Sequence, residues 1–221
     1  MIEASNQPGD WADRMEQRVL DAALERAPTL GWNGRMVAAA CRACGLSEGD
    51  RELLLPNGPR DLAALLWRRH DAAAMESLAG IDPNALKIRE RISQAVSARL
   101  EAAAADGEAE KRLAGFLALP TNADLVLSLT WATADGIWRW AGDVATDWNH
   151  QSKRVTLSGI LIPAMTLRLF DGREAADAFV AARIENVMAF EKWKAGRDFY
   201  APLRTATDLL ARLRYGPRDA A

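Results

Sequence analysis

The run Trp138-Arg139-Trp140-Ala141-Gly142-Asp143-Val144-Ala145-Thr146-Asp147-Trp148-Asn149 joins two stretches of helical hydrophobic spacing. Residues 125–134 upstream and 155–167 downstream contain no charged side chain. In the upstream stretch Leu125, Leu129, Ala132 and Trp140 form one stripe, and Leu127, Trp131 and Trp138 form another. A helix apolar on two faces is expected to be buried on two faces. Gly142 can end that helix, and Thr146 or Asp147 can cap the next. Asp143 can pair with Lys153 or Arg154 across the corner. The downstream helix is expected to run to Phe170-Asp171-Gly172 with Pro163 inside it. There the missing backbone hydrogen bond predicts a kink with space beside it.

The rest of the chain agrees with a helical reading. Its 221 residues suit one large domain, and 49% hydrophobic with 26% charged residues is an ordinary globular composition. Alanine and leucine dominate, β-branched residues are sparse and no segment alternates polar and apolar, so the fold class is all-α. The net charge of −2 opposes bulk attraction to nucleic acid. It conceals an uneven distribution: residues 183–218 hold eight Lys/Arg against four Asp/Glu, a local +4, which leaves −6 elsewhere. Met1 to Asp10 is polar, unlike a signal peptide, and carries no Arg, unlike a transit peptide; the expectation is a cytoplasmic protein peripherally associated with membrane. Cys41 and Cys44 are the only cysteines, too few for a structural zinc site, and read as small side chains on one helix face.

Working outward to the N-terminus, residues 1–9 read as a disordered lead. Trp11, Met15, Val19, Ala22 and Ala23 mark a first helix that Pro28 should close. Gly34 to Cys44 reads as a second helix stopped by Gly45, and Ser47 can cap a short third through Leu54. Pro56-Asn57-Gly58 turns the chain into a helix bearing Leu62, Leu65 and Leu66 that ends near Gly80. Asp82-Pro83 should open the next, with Ile88, Ile92, Val96 and Leu100 on one face, ending at Asp106-Gly107. A shorter helix with Leu113, Phe116 and Leu117 precedes Pro120. The organisation is thus a head over 10–57, a helical body over 58–196 and a tail over 197–221.

The first three helices, with Ala39-Ala40-Cys41-Arg42-Ala43-Cys44-Gly45-Leu46-Ser47 between the second and third, resemble the helix-turn-helix head of TetR-type regulators. A recognition helix must face phosphates and base edges. Here it reads Ser47-Glu48-Gly49-Asp50-Arg51-Glu52-Leu53-Leu54-Leu55, with three acids against one base. That charge opposes the counterion release that drives DNA binding, so a degenerate head and no nucleic-acid partner are expected. A ligand-responsive TetR-type transcription regulator is the alternative reading.

The central motif identifies a closer relationship. Ala141-Gly142-Asp143-Val144-Ala145-Thr146-Asp147-Trp148-Asn149 followed by Lys153-Arg154 resembles the signature of the Coq-nine family of ubiquinone-biosynthesis accessory proteins, here as a divergent, bacterial-type member. Gly31-Trp32, Gly45-Leu46-Ser47, Pro56-Asn57-Gly58 and Arg183-Ile184-Glu185-Asn186-Val187-Met188 match in order. The resemblance implies a TetR-like bundle without DNA binding and a hydrophobic pocket for an isoprenoid lipid or quinone intermediate. It also implies a homodimer, a membrane-surface helix and presentation of the intermediate to a hydroxylase. It implies no catalysis and no cofactor. From the residues themselves, His70 and His150 are the only histidines, and no Glu-x-x-His pair suits a di-iron site. His70 reads as a half-buried packing residue.

Candidate pocket residues, taken from the apolar faces, are Leu127, Trp131, Trp138, Ile160, Leu161, Met165, Ile184 and Met188. The candidate partner surface is Asp143, Asp147, Trp148, Asn149, His150, Lys153 and Arg154. It departs from the family where tryptophan-tyrosine-threonine is replaced by His150-Gln151-Ser152, and a lost Trp anchor is worth about 2 kcal/mol or more. The terminal segment sets Phe199, Tyr200, Leu203, Leu209, Leu210 and Leu213 on one stripe. Lys194, Arg197, Arg204 and Arg212 flank it, a basic amphipathic helix suited to a membrane surface.

Overall fold

A computed structural model describes the backbone of residues 8–143 and 148–195, with side chains over 11–143 and 151–187. All regular structure among these residues is helical. The helices are α1 (Pro8–Leu30), α2 (Gly34–Ala43), α3 (Glu48–Leu54), α4 (Pro59–Ser77), α5 (Ile88–Ala104), α6 (Gly107–Leu117), α7 (Ala123–Trp140), α8 (Trp148–Phe170) and α9 (Arg173–Ala195). The chain divides into two units, residues 1–181 and 182–221, described separately. No single helix among the described residues is long and apolar enough to cross a membrane.

Local chemistry explains most boundaries. Pro28 does not close α1 but lies inside it, two residues before the end. One missing amide so near the terminus costs little, and the stop is Gly31, whose φ of +75° suits a residue without Cβ. The Asn33 side chain accepts from the amides of Arg35 and Met36 to start α2. Ser47 caps α3, and Asp50 answers by accepting the Ser47 amide at 3.0 Å. Asp82-Pro83 opens only a 3₁₀ turn, Pro83–Ala85, with Asp82 accepting from the Asn84 amide. The long helix begins afresh at Ile88, where Glu90 accepts the Lys87 amide at 2.9 Å. Pro120 likewise starts a 3₁₀ turn, Pro120–Asn122.

The core of the first unit forms where α1 packs on α2 and α6, α4 on α5 and α7, and α8 on α5 and α7. Val19, Leu20, Met36, Leu62, Leu66, Val96, Leu113, Ile137 and Leu161 are buried there. The expected two-sided burial of α7 does not occur. Its buried face is Leu129, Thr130, Thr133, Ala134 and Ile137, whereas Leu127 is 69% exposed. Two threonines lie on the inner face, Thr130 with its hydroxyl on the Val126 carbonyl and Thr133 with its hydroxyl on Asp71, so polar side chains fill core positions. Leucine is left on the outside. α8 is also one-sided: Leu157, Ile160, Leu161, Ala164 and Met165 face inward, while Val155, Ile162, Pro163 and Phe170 face outward.

Candidate functional site

The corner after α7 is built by its own backbone. The Gly142 amide donates to the Arg139 carbonyl at 3.0 Å and the Asp143 amide to the Trp138 carbonyl at 2.9 Å. With Gly142 at φ +87°, this is a Schellman stop that turns Asp143 back toward the bundle. Arg91, near the start of α5, buttresses the turn by donating to the Ala141 carbonyl at 2.7 Å and the Leu86 carbonyl at 3.0 Å. A Cβ on Gly142 would stand 3.3 Å from Arg91 Nη1, so both conformation and space favour glycine.

Asp143 takes both of the partners open to it. Lys153 Nζ donates to its Oδ1 at 2.6 Å and Arg154 Nη1 to its Oδ2 at 3.0 Å. Arg154 Nε donates to Asp135 at 2.6 Å, and Arg139 reaches the other oxygen of Asp135 at 2.5 Å. Arg154 is only 1% exposed, so a guanidinium buried at the helix junction is held between two carboxylates. Breaking such a pair by removing one partner strands the other charge in a poorly solvated place. Trp138 completes the corner: its indole N–H donates to the Lys153 carbonyl at 3.2 Å, and Lys153 Nζ lies 5.0 Å from the ring centroid.

This geometry sorts the sequence candidates. Asp143 and Arg154 are buried and bonded to each other, so they set the shape of the corner from within rather than forming its outer surface. Lys153 is partly exposed. Asp147 lies outside the described residues, and Trp148, Asn149 and His150 open α8 with side chains outside them. Among the pocket candidates, Ile160, Leu161 and Met165 share the buried face of α8, Trp131 and Trp138 are half-buried on α7, and Leu127, one turn before Trp131, is exposed. Ile184 belongs to the second unit, and the Met188 side chain lies outside the described residues. Lys194 is on the last turn of α9, its side chain outside the described residues, as are Arg197, Phe199, Tyr200, Leu203, Arg204, Leu209, Leu210, Arg212 and Leu213.

A second polar cluster went unread in the sequence. Trp67 Nε1 donates to Thr133 Oγ1 at 2.7 Å, and Thr133 Oγ1 donates to Asp71, with Oδ1 at 2.9 Å. Arg99 Nε donates to the same Asp71 oxygen at 2.6 Å, and the Arg99 guanidinium lies 4.7 Å from the centroid of the Trp67 ring. One turn away, His70 Nε2 is 2.6 Å from Asp106 Oδ2. His70 is therefore fully buried and hydrogen-bonded, not the half-buried packing residue its helix spacing suggested. Burial holds its imidazole below the ordinary value, against the Asp106 hydrogen bond, and burial also pushes the Glu110 carboxyl up to about 8. The available signal was Arg99, a charge on the apolar stripe of Ile92, Val96 and Ala103. A cavity of about 40 Å³ adjoins the cluster, lined by Asp71, Arg99, Thr133 and Ile137 among others and by none of the pocket candidates. It has room for water but not for the 300–1,000 Å³ that small-molecule sites typically enclose.

No group of three or more metal-ligating side chains suited to a metal ion occurs among the described residues. Residues 123–191 match the family model described as COQ9. The mitochondrial ubiquinone biosynthesis protein COQ9-B of Xenopus laevis is 30% identical over 159 residues, covering 67% of this chain and 53% of its own. The mitochondrial ubiquinone biosynthesis protein COQ9 of Rattus norvegicus is 27% identical over 154 residues, covering 67% and 49%. That of Homo sapiens is 26% identical over 156 residues, covering 67% and 48%. The chain spans about half the length of the curated relatives it matches. The Schellman corner and its Asp143–Arg154 pair lie within the matched segment, and over that segment the chain is similar to the COQ9 family.

Proposed function

We propose that this protein serves ubiquinone biosynthesis as a non-enzymatic accessory that holds an isoprenoid or quinone intermediate at a membrane surface. The observation that carries the reading is the match of residues 123–191 to COQ9, a segment that contains Ala141-Gly142-Asp143 and Lys153-Arg154. Relatives named for ubiquinone biosynthesis extend the likeness across 67% of the chain. The outward apolar side chains Leu127, Val155, Ile162 and Phe170 on α7 and α8 support an apolar ligand or surface, because a water-facing helix gains nothing from them.

In this reading the protein acts as a homodimer and hands its ligand to a quinone-modifying hydroxylase. The corner keeps α7 and α8 in register while residues at the start of α8 meet the partner. His150-Gln151-Ser152 gives that contact a more polar character than the tryptophan-tyrosine-threonine of the family motif it resembles. The basic amphipathic segment after Lys194 supplies the membrane contact.

Deleting the gene and measuring quinones by chromatography tests the proposal in the cell. Ubiquinone should fall and an upstream isoprenoid intermediate should accumulate, both reversed by the intact gene. An unchanged quinone profile would contradict it.

A further inference from the structure

Four polar atoms on three neighbouring helices are buried without a hydrogen-bond partner: His70 Nδ1 on α4, Glu110 Oε2 on α6, and Nη1 and Nη2 of Arg99 on α5. Orphaned polar atoms in a core are costly, and most are satisfied by a water or a proton. Here two of them face each other. His70 Nδ1 and Glu110 Oε2 are 3.9 Å apart, about 1 Å beyond hydrogen-bond length. The other imidazole nitrogen, Nε2, is already 2.6 Å from an Asp106 oxygen. With the Asp106 oxygen accepting, Nε2 carries the hydrogen and, in the neutral ring, Nδ1 presents a lone pair.

We propose that Glu110 is a protonated carboxylic acid that donates to His70 Nδ1, closing a buried Glu110–His70–Asp106 chain that latches α6 to α4, and that loss of this proton transfers Glu110 to Arg99. One proton satisfies both facing orphans. Glu110 is 1% exposed, which penalises its charged form, and burial raises its carboxyl to about 8. The charges acting on it are Arg99 on α5, which favours ionisation, and Asp106, which opposes it. Those acting on His70 are Arg99, Asp106 and Asp71. The other helices packed on α6, namely α1, α7 and α8, add no charge acting on Glu110 among the described residues. Once Glu110 ionises, the two free nitrogens of Arg99 are the donors its carboxylate needs. The latch then changes from α6–α4 to α6–α5.

The linkage has a definite sign. Burial lowers His70 from its ordinary 6.5, so its share of stability is complete above 6.5 and is lost as pH falls through the lowered value. The raised Glu110 carboxyl contributes stability that is complete below its ordinary 4.5 and is lost as pH rises through about 8, so below 6.5 the two slopes oppose each other. From 6.5 up to about 8 only folded Glu110 retains a proton, so stability is lost as pH rises, by tenfold in the folding constant per pH unit.

Glu110→Gln supplies a permanent donor to His70 and removes the titration. Urea unfolding from pH 6 to 9 should show the falling stability in the wild-type protein and a flattened profile in the variant; equal slopes would overturn the proposal. Carboxyl ¹³C and imidazole ¹⁵N spectra of the wild-type protein decide independently of how the variant folds. They should show a neutral Nε2–H tautomer at pH 7 and one glutamate titrating near 8. An imidazolium at pH 7, or Glu110 titrating near its ordinary 4.5, would refute it.

Discussion

The α7–α8 corner and the cluster around Arg99 on α5 solve the same problem, a guanidinium buried between helices, in opposite ways. Arg154 is held by Asp135 through Nε and by Asp143 through Nη1, and Lys153 and Arg139 tie those carboxylates further. Arg99 has one carboxylate, Asp71, on Nε and an indole face, while its two terminal nitrogens stay unpartnered. The first arrangement is over-determined and fits a rigid joint. The second leaves donors in reserve and fits a place where protonation changes who bonds to whom.

The contrast is open to direct attack, and the corner should give the largest effects. Arg154→Met removes the shared cation and leaves Asp135 and Asp143 facing each other. It should cost about 3–5 kcal/mol by chemical denaturation. A loss below about 1 kcal/mol would show that the corner is not over-determined. Thr133→Val keeps the side-chain volume of the second cluster but deletes the hydroxyl shared by Trp67 and Asp71. A cost of about 1–3 kcal/mol is expected. Gly142→Ala imposes φ +87° on a residue with a Cβ and crowds Arg91 at 3.3 Å, for about 1–2 kcal/mol. Ser47→Ala, remote from both regions, removes only the α3 cap and should cost about 1 kcal/mol. A larger loss at Ser47 than at Gly142 would reverse the ranking that makes the corner special.

The same pair of regions explains what could be read from sequence. The corner was legible because its parts are close along the chain. Gly142 signals a helix stop, Asp143 follows it, and Lys153-Arg154 stand one turn and a half into the next helix. The second cluster draws Trp67, Asp71, Arg99 and Thr133 from three helices, and no local spacing announces such a meeting. Periodicity also misled at α7, where Leu127 lies outward and Thr130 and Thr133 inward, because buried threonines whose hydroxyls find a partner, Val126 for one and Asp71 for the other, still pass as polar in a pattern search. Asp82-Pro83 gave a true start signal for the wrong element, since a capped proline opens a 3₁₀ turn as readily as an α-helix. The starts of α2 and α3 and the stop at Gly45 were legible because caps and glycine stops act locally, whereas Pro28 was misread as the end of α1. On α3 three acids accompany Arg51, whose partner is Glu48. A low-salt gel shift with random and selected duplexes should accordingly detect no sequence-specific binding.

The central claim is that this chain carries an isoprenoid or quinone intermediate, and native mass spectrometry of the protein purified without detergent tests it most directly. The account predicts a bound polyprenyl species that is released on denaturation and regained on adding a polyprenyl quinone. Protein that emerges empty and fails to take up the quinone would contradict it.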